Sequence, residues 1–196
     1  MQYVVHRVNT KEKLNNIDPM FGIEVDIRYS NEKLVLGHDQ SNNNIPLIDL
    51  LNDYKHSLFV ANVKEAGIEN LIIETLLDNE IKNFFLLDTE FPYIIKNYEK
   101  YGNYMCTRFS EYEDIETSKN LINKVSWIWI DTFTKLPLSS NNLETVNKFS
   151  SCLVSPSRWG RSDEIEQTIK DLKKINYLPT AIMVEEKEIK IWEKFL

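Results

Sequence analysis

Several residue types that define small functional motifs are scarce in this sequence of 196 residues. It contains five glycines, six prolines, two cysteines and three histidines. No glycine-rich turn follows the first strand-like run, so the pattern that opens a dinucleotide-binding fold is missing. Cys106 and Cys152 lack the spacing of a paired-cysteine metal site. We therefore expect both cysteines to be reduced residues of the core.

A net positive charge and a long apolar run are also missing. The formal net charge is −7, whereas nucleic-acid binding normally leaves a basic footprint. We therefore expect no nucleic-acid partner and no electrostatic membrane-surface role. The N-terminal stretch "MQYVVHRVNT" resembles no secretory signal, and no run is long enough to cross a membrane. These features predict a cytoplasmic protein without a stable membrane anchor, and they carry no signal for its oligomeric state.

Strand-like and helix-like segments alternate along the chain. Apolar runs typical of strands cover 3–7, 23–28, 34–38, 57–64, 83–88, 104–109, 126–131, 150–155 and 180–185. Apolar residues at helical spacing mark 67–79, 162–175 and 187–196, with a shorter candidate at 45–54.

This alternation predicts an α/β fold with a parallel sheet, and about eight units predict a small (β/α)8 TIM barrel. The whole chain, 1–196, would form one domain. Since that barrel usually needs at least ~200 residues, some helices must be short or missing. An open doubly wound sheet is the alternative fold.

Polar residues collect at the ends of the predicted strands. Parallel barrels build their active sites at the carboxyl ends of the strands, so this pattern predicts a site there. The residues are His6, Arg7, Glu24, Asp26, His38, Asn62, Lys64, Asp88, Arg108, Asp131 and Ser155.

Two acids, Glu24 and Asp26, lie two residues apart in one predicted strand. Their side chains point to the same side, so their carboxylates converge and repel unless a cation lies between them. Oxygen ligands suit a hard divalent cation, Mg²⁺ or Ca²⁺. The alternative is an ion pair with Arg7, Arg28 or Lys64.

Two of the three histidines, His6 and His38, end strand-like runs. Because histidine titrates near neutral pH, such a pair can serve as base and acid. The third, His56, precedes a strand, and we interpret it as structural.

Three short motifs carry a family resemblance. The pairs "HR" at 6–7 and "HD" at 38–39, with "EVD" at 24–26, resemble the HR…ExD…H signature of the glycerophosphodiester phosphodiesterase family. The stretch "EKLVLGHD" resembles the family's G-x-L-V-x-x-H-D. The resemblance covers about residues 3–64. It implies a TIM barrel of the PLC-like phosphodiesterase type that hydrolyses phosphodiesters, usually glycerophosphodiesters of lipid or polysaccharide origin.

The resemblance also implies a division of roles. His6 and His38 would be the acid–base pair, and Glu24 and Asp26 would bind the divalent cation. Arg7 would meet a phosphate oxygen of a small-molecule phosphodiester substrate.

Two positions depart from the family pattern. Val8 replaces the glycine that usually follows "HR", and Asn62 stands in "NVK" where the family has a glutamate in E-x-K. The amide oxygen of Asn62 can still bind a hard cation. Asp88 could restore a carboxylate, and Glu65 is a further candidate that would point away from the site.

Three further residues have more than one interpretation. Lys64 resembles the family's phosphate-binding lysine, and a Schiff-base lysine of a barrel aldolase or isomerase is the alternative. Arg108 could bind phosphate bidentately or could orient Glu24 or Asp88. Ser155 lies in a loop of the kind that binds phosphate in these barrels.

The leading functional prediction is a metal-dependent phosphodiesterase that works by histidine acid–base catalysis. The alternative is a catalytically weak or inactive relative that binds a phosphate ligand on the same barrel.

Overall fold

The computed structural model describes residues 1–41 and 44–195 and shows a mixed α/β chain. The described residues fall into two compact units. The N-terminal unit comprises Val4–Asn97, and the C-terminal unit comprises Met1–Tyr3 together with Tyr98–Leu196. Leu196 itself lies outside the described residues. The single domain expected over residues 1–196 stays a prediction.

Four strands pair in parallel in the N-terminal unit, the first of them through Val4 and Val5. They pair in the order β1-β2-β5-β6. Their central residues are almost all buried, as expected for strands that are apolar on both faces. The strands are β1 (Gln2–Val5), β2 (Gly22–Ser30), β5 (Phe59–Val63) and β6 (Phe84–Leu87).

A hairpin extends this sheet and corrects one prediction. The run 34–38 was expected to be one of the alternating parallel strands. It contains β3 (Lys33–Leu36), which is antiparallel to β2, and β4 (Ile45–Pro46) is antiparallel to β3. The turn between β2 and β3 places Asn31 and Glu32 at positive φ, 50° and 60°. Two such residues match the twist of a tight hairpin.

The helices of this unit are mostly short. The helical spacing in 67–79 rests on Ile68, Leu71, Ile72 and Leu76. Ile68, Ile72 and Leu76 are buried as this spacing predicts, whereas Leu71 is exposed. The helices are α1 (Lys11–Asn16), α2 (Leu47–Leu51) and α3 (Glu69–Asp78), and α4 (Phe91–Tyr101) follows β6.

The C-terminal unit has a second set of four parallel strands. The pairing order is β7-β8-β9-β10, and the amide of Gln2 donates to the Thr180 carbonyl beside the start of β10, at 2.8 Å. The strands are β7 (Cys106–Phe109), β8 (Trp127–Ile130), β9 (Ser150–Val154) and β10 (Ala181–Val184). The helices are α5 (Ile115–Lys119), α6 (Leu143–Val146), α7 (Ile165–Lys174) and α8 (Ile189–Trp192).

Within the described residues, eight strands therefore pair in parallel and alternate with helices, which is the pattern of a (β/α)8 chain. The prediction of short helices is confirmed, since α6 and α8 have four residues each. The expected helix 187–196 is α8 followed by a 3₁₀ turn over Glu193–Phe195.

Two predictions about the core and the membrane can also be checked. Cys106 and Cys152 are both buried, as expected of core residues. Among the described helices, none is long and apolar enough to cross a membrane.

Candidate active site

The backbone of β2 organises the candidate site in the N-terminal unit. One edge of β2 pairs with β5. The other edge first meets β1 and then, further along, the antiparallel strand β3. The chain leaving β1 bonds to β2 through Val8 N to Glu24 O, and the chain leaving β3 bonds through Gly37 N to Asp26 O, at 2.7 and 3.0 Å. The segments that carry His6 and His38 therefore both end beside the Glu24–Asp26 pair.

Glu24 is almost completely buried and accepts hydrogen bonds at both oxygens. Asn62 Nδ2 donates to Oε1 at 2.8 Å, and the Arg7 amide donates to Oε2 at 2.7 Å. His6 Nε2 lies 3.9 Å from Oε2. Burial, and then the charge of Asp26, raise the pKa of Glu24 to about 7. Near neutral pH this carboxyl can therefore hold or release a proton.

Asp26 is equally buried but has charged partners. Lys64 Nζ lies 3.0 Å from its Oδ1 and Arg7 Nε lies 3.8 Å from its Oδ2. Asn9 holds the residue at two points, with Nδ2 donating to Oδ2 at 2.8 Å and Oδ1 accepting from the Asp26 amide at 2.9 Å. Burial alone would raise the pKa of Asp26, but the Asn9 hydrogen bond and the Lys64 ammonium outweigh it and lower that pKa.

The ion pair that was the alternative to a cation is thus present for Asp26, with Lys64 and Arg7 as its partners. Arg28 has another role: its guanidinium donates to the His38 carbonyl at 2.8 and 3.0 Å. The Lys64–Asp26 contact keeps an ammonium beside a carboxylate. Because a Schiff-base lysine must lose its proton, this contact does not favour the aldolase alternative.

His38 is half-exposed, with 46% of its side chain accessible. Its Nδ1 lies 3.0 Å from Asp39 Oδ1, and its backbone is fixed by Arg28. Such a carboxylate contact orients an imidazole and leaves Nε2 as the ring atom for proton transfer. The remaining histidine, His56, is buried in the same unit and its Nε2 lies 3.2 Å from the Ile17 carbonyl, as a structural residue should.

The donor set fits a hard divalent cation in part. Glu24 and Asp26 offer carboxylate oxygens, and the buried Oδ1 of Asn62 has no hydrogen-bond partner within the described residues. An unpartnered buried carbonyl oxygen is a ligand that Mg²⁺ and Ca²⁺ accept. In the part of the chain that the structure describes, no three His, Cys, Asp or Glu side chains form a metal-binding group.

Two further acids were considered for the cation, and their role as ligands stays a prediction. Asp88 follows β6, is exposed and has a φ of 60°. Glu65 accepts a hydrogen bond from the Tyr29 amide, so its carboxylate points away from Lys64, as expected.

Two residues of the site have no counterpart in the sequence-based prediction. Asn9 clamps Asp26, and Lys13 donates to the carbonyls of His6 and Arg7 at 2.6 and 3.2 Å. Neither residue lies in a strand or at a strand end. Their roles depend on where the β1–α1 loop meets β2, and residue spacing does not encode that position.

Arg108 belongs to the C-terminal unit, at the end of β7. Its Nε lies 2.8 Å from Glu113 Oε1 and its NH2 lies 3.1 Å from Asp131 Oδ2. Burial raises the pKa of Asp131, against the opposing effects of Trp159, Arg108 and Trp129, which bond to its carboxylate. The guanidinium is therefore held in place by two acids, and its role towards phosphate stays a prediction.

Ser155 is buried after β9 in the same unit. Its hydroxyl bonds to Ser157 Oγ at 2.8 Å and accepts from Trp192 Nε1 at 3.2 Å. Ser157 in turn donates to Glu188 Oε2 at 2.5 Å. The phosphate-binding role of Ser155 also stays a prediction.

Three aromatic rings lie together in loops that follow β7, β8 and β9. The ring centroids of Phe133 and Trp159 are 4.5 Å apart, and those of Tyr112 and Phe133 are 5.9 Å apart. The indole of Trp159 donates to Asp131 Oδ1 at 2.8 Å, which anchors this cluster to the carboxylate that holds Arg108.

Comparison with known proteins yields similarity in structure but not in sequence. No protein-family model matches the chain, and no curated protein sequence matches it. A solved structure described as a glycerophosphoryl diester phosphodiesterase from Agrobacterium tumefaciens strain C58 is similar at 10% identity, with a TM-score of 0.68, over 98% of this chain and 96% of that one.

Two further solved structures have similar descriptions. A glycerophosphoryl diester phosphodiesterase from Parabacteroides distasonis aligns at 12% identity, with a TM-score of 0.68, over 98% of this chain and 85% of that one. A glycerophosphodiester phosphodiesterase from A. tumefaciens strain C58 aligns at 11% identity, with a TM-score of 0.63, over 94% of this chain and 95% of that one.

These likenesses establish the class of fold. At 10–12% identity they show the fold alone, an α/β fold of the TIM-barrel type, as the strand–helix alternation predicted. The alternative of an open doubly wound sheet is set aside.

Proposed function

We propose that this protein is a metal-dependent phosphodiesterase that hydrolyses a glycerophosphodiester-like substrate with His6 and His38 as its acid–base pair. One observation carries the proposal: a buried Glu24–Asp26 pair within β2, contacted by His6, Arg7 and Lys64. Buried acids beside cations and a histidine are costly to assemble without a function. The fold of the solved phosphodiesterases supports the same substrate class.

Binding of the phosphate is assigned to the cations of the site. Arg7 and Lys64 lie on either side of Asp26. Both can compensate the negative charge that develops on the phosphoryl oxygens in the transition state. Asp26 keeps these two side chains in place.

Proton transfer is assigned to the histidines. One imidazole takes a proton from the attacking hydroxyl or water, and the other gives a proton to the leaving alkoxide. Asp39 orients His38 through Nδ1, so the proton moves at Nε2 of that ring. Glu24 Oε2 faces Nε2 of the His6 ring at 3.9 Å.

Glu24, Asp26 and the Asn62 amide oxygen would hold the cation, Mg²⁺ or Ca²⁺. Such an ion supplies Lewis-acid polarisation of a phosphoryl oxygen when it is bound. Asp88 could add a carboxylate ligand through water.

The test is hydrolysis of bis-p-nitrophenyl phosphate and of a glycerophosphodiester during titration with Mg²⁺ or Ca²⁺. We expect His6→Ala and His38→Ala each to lower kcat by about 10²–10⁴-fold, the usual contribution of an acid or base. His56→Gln is the matched control and should keep kcat. Equal rates for all four proteins would contradict the proposal.

A second candidate function is favoured by the amide at position 62. With one acid fewer than the family pattern, and with Lys64 and Arg7 beside Asp26, the site could bind a phosphate ligand without turnover. Tight binding of inorganic phosphate by calorimetry, together with no hydrolysis at any ion concentration, would support this candidate over the enzyme.

A further inference from the structure

One lysine of the N-terminal unit contacts the backbone turn at His6 and Arg7 from the side of α1. Lys13, in α1, donates from Nζ to the His6 carbonyl at 2.6 Å and to the Arg7 carbonyl at 3.2 Å. The position of Lys13 is itself fixed, because its amide donates to the N-cap hydroxyl of Thr10 at 3.2 Å. Its ammonium thus bonds to two consecutive carbonyls, those of the two residues to which the family resemblance gives roles.

The same turn is held from its other side by β2. The Arg7 amide donates to Glu24 Oε2 and the Val8 amide donates to the Glu24 carbonyl, both at 2.7 Å. Asn9 adds its two bonds to Asp26. The carbonyls of His6 and Arg7 therefore face the Lys13 ammonium, while the amides of Arg7 and Val8 bond to the side chain and the backbone carbonyl of Glu24.

The backbone of the turn needs this support. Arg7 has a φ of 53°, in the left-handed region. For a residue with a side chain this conformation is strained and persists only where the surroundings fix it. The side chains of His6 and Arg7 leave the backbone at this point, so any relaxation of the turn moves both of them.

We propose that Lys13 is a positioning residue, whose ammonium holds the His6–Arg7 peptides in the left-handed turn and thereby places both side chains against the Glu24–Asp26 pair. The kinetic consequence rests on the proposed function. The structural consequence, a turn that loosens without this ammonium, does not.

The experiment compares three variants of the full chain. Lys13→Met keeps the aliphatic stem and removes the charge, and Lys13→Arg keeps a cation with donors. The matched control is Lys11→Met, in the same helix, because Lys11 Nζ pairs at 2.7 Å with Asp53 and does not support the turn. Hydrogen exchange of individual amides is measured first, followed by kcat and KM.

In Lys13→Met we expect the Arg7 and Val8 amides to exchange at least about 10-fold faster, because local opening of the turn becomes easier. We expect kcat to fall about 10–100-fold with a smaller change in KM, because misplacement of a reacting group by about 1 Å has this effect. Lys13→Arg should restore most of both properties, and Lys11→Met should change neither.

Two results would overturn the proposal. The first is unchanged exchange at Arg7 and Val8 in Lys13→Met. The second is the same loss of activity in Lys11→Met. If Lys13→Met fails to fold, Lys13→Gln, which keeps one donor, takes its place with the same criteria. A wild-type protein without hydrolysis would remove the proposed function, while exchange at the turn still decides the role of Lys13.

Discussion

At the scale of single residues, Asn62 affects both the charge and the hydrogen bonding of the candidate site. Its amide donates to Glu24 at 2.8 Å, which a glutamate at this position could not do while ionised. Its carbonyl oxygen is buried and unpartnered within the described residues. The residue thus lowers the repulsion between acids and keeps one oxygen available for a cation.

Replacing Asn62 with glutamate tests whether the neutral amide limits the repulsion between acids at this site. With a chelator present, we expect the free energy of unfolding of Asn62→Glu to be about 3 kcal/mol lower than that of the wild type, because a third buried carboxylate lacks a counter-charge. Saturating Mg²⁺ or Ca²⁺ should restore the stability, and calorimetry should show tighter binding of the ion. Asn62→Gln is the neutral control. Equal stability of both variants in chelator would argue against this account.

His56 governs a different property, the stability of the fold in weak acid. Burial lowers the pKa of His56, although Ile17 and Asp18 oppose the shift. The unfolded chain therefore binds this proton first as the pH falls below about 6.5. Stability due to neutral His56 is complete above that pH and is lost as the pH falls further.

Urea unfolding at several pH values measures this loss of stability with falling pH. Between pH 7 and pH 5 the wild type should lose more stability than His56→Gln, which has no proton to bind. Comparing the two proteins removes the contributions of other titrating groups, Glu24 among them. An identical loss in both proteins would contradict the assignment.

At the scale of elements, the sequence predicted the existence of strands better than their direction. Each of the nine apolar runs contains a strand, but β3 turns back on β2. Apolar residues alone do not separate parallel from antiparallel pairing, and the turn residues Asn31 and Glu32 lack the glycine that usually marks such a hairpin. The strand β4 was missed because two residues carry too little pattern.

For the candidate site too, the sequence predicted which side chains share a face of a strand but not which elements come together there. Glu24 and Asp26 share a side of β2 because strands alternate their side chains, and spacing reveals this directly. The antiparallel return of β3, which brings Gly37 to Asp26, and the contacts of Lys13 are tertiary. They depend on how elements meet, and local pattern contains no information about that.

The packing of Gly102 against the segment that precedes β8 can be tested by one substitution. A Cβ added at Gly102 would lie 2.0 Å from the Lys124 carbonyl oxygen, so the chain after α4 needs glycine to approach this backbone. We expect Gly102→Ala to lower the free energy of unfolding by about 1–3 kcal/mol. Denaturant titration measures it, and the exposed neighbour Asn103→Ala is the control. A neutral Gly102→Ala would show that the backbones can separate without cost.

At the scale of the whole molecule, the fold tolerates almost complete replacement of its sequence. Solved structures with 10–12% identity align over 94–98% of this chain. Burial pattern and strand–helix alternation suffice for such a fold, since cores accept substitutions that keep volume and patterning. For the same reason the likeness shows the fold alone, and the chemistry has to be argued from the residues of the site.

The two buried cysteines report on the integrity of this core. Cys106 in β7 and Cys152 in β9 are both buried. We expect a thiol reagent such as DTNB to label neither residue in the native protein and both in denaturant. The labelling rate under native conditions should follow the rate or extent of unfolding. Rapid native labelling of either residue would show that the strands open locally.

The contact between Trp159 and Asp131 also gives the protein an optical property. Trp127, Trp129 and Trp192 are buried, whereas Trp159 is 38% exposed and donates its indole proton to Asp131. A collisional quencher such as iodide can reach Trp159 far more easily than the other three indoles. The quenchable part of the intrinsic fluorescence therefore comes from the loop that carries Trp159. Binding of a ligand at this loop should change that fluorescence, so binding can be measured without an attached dye.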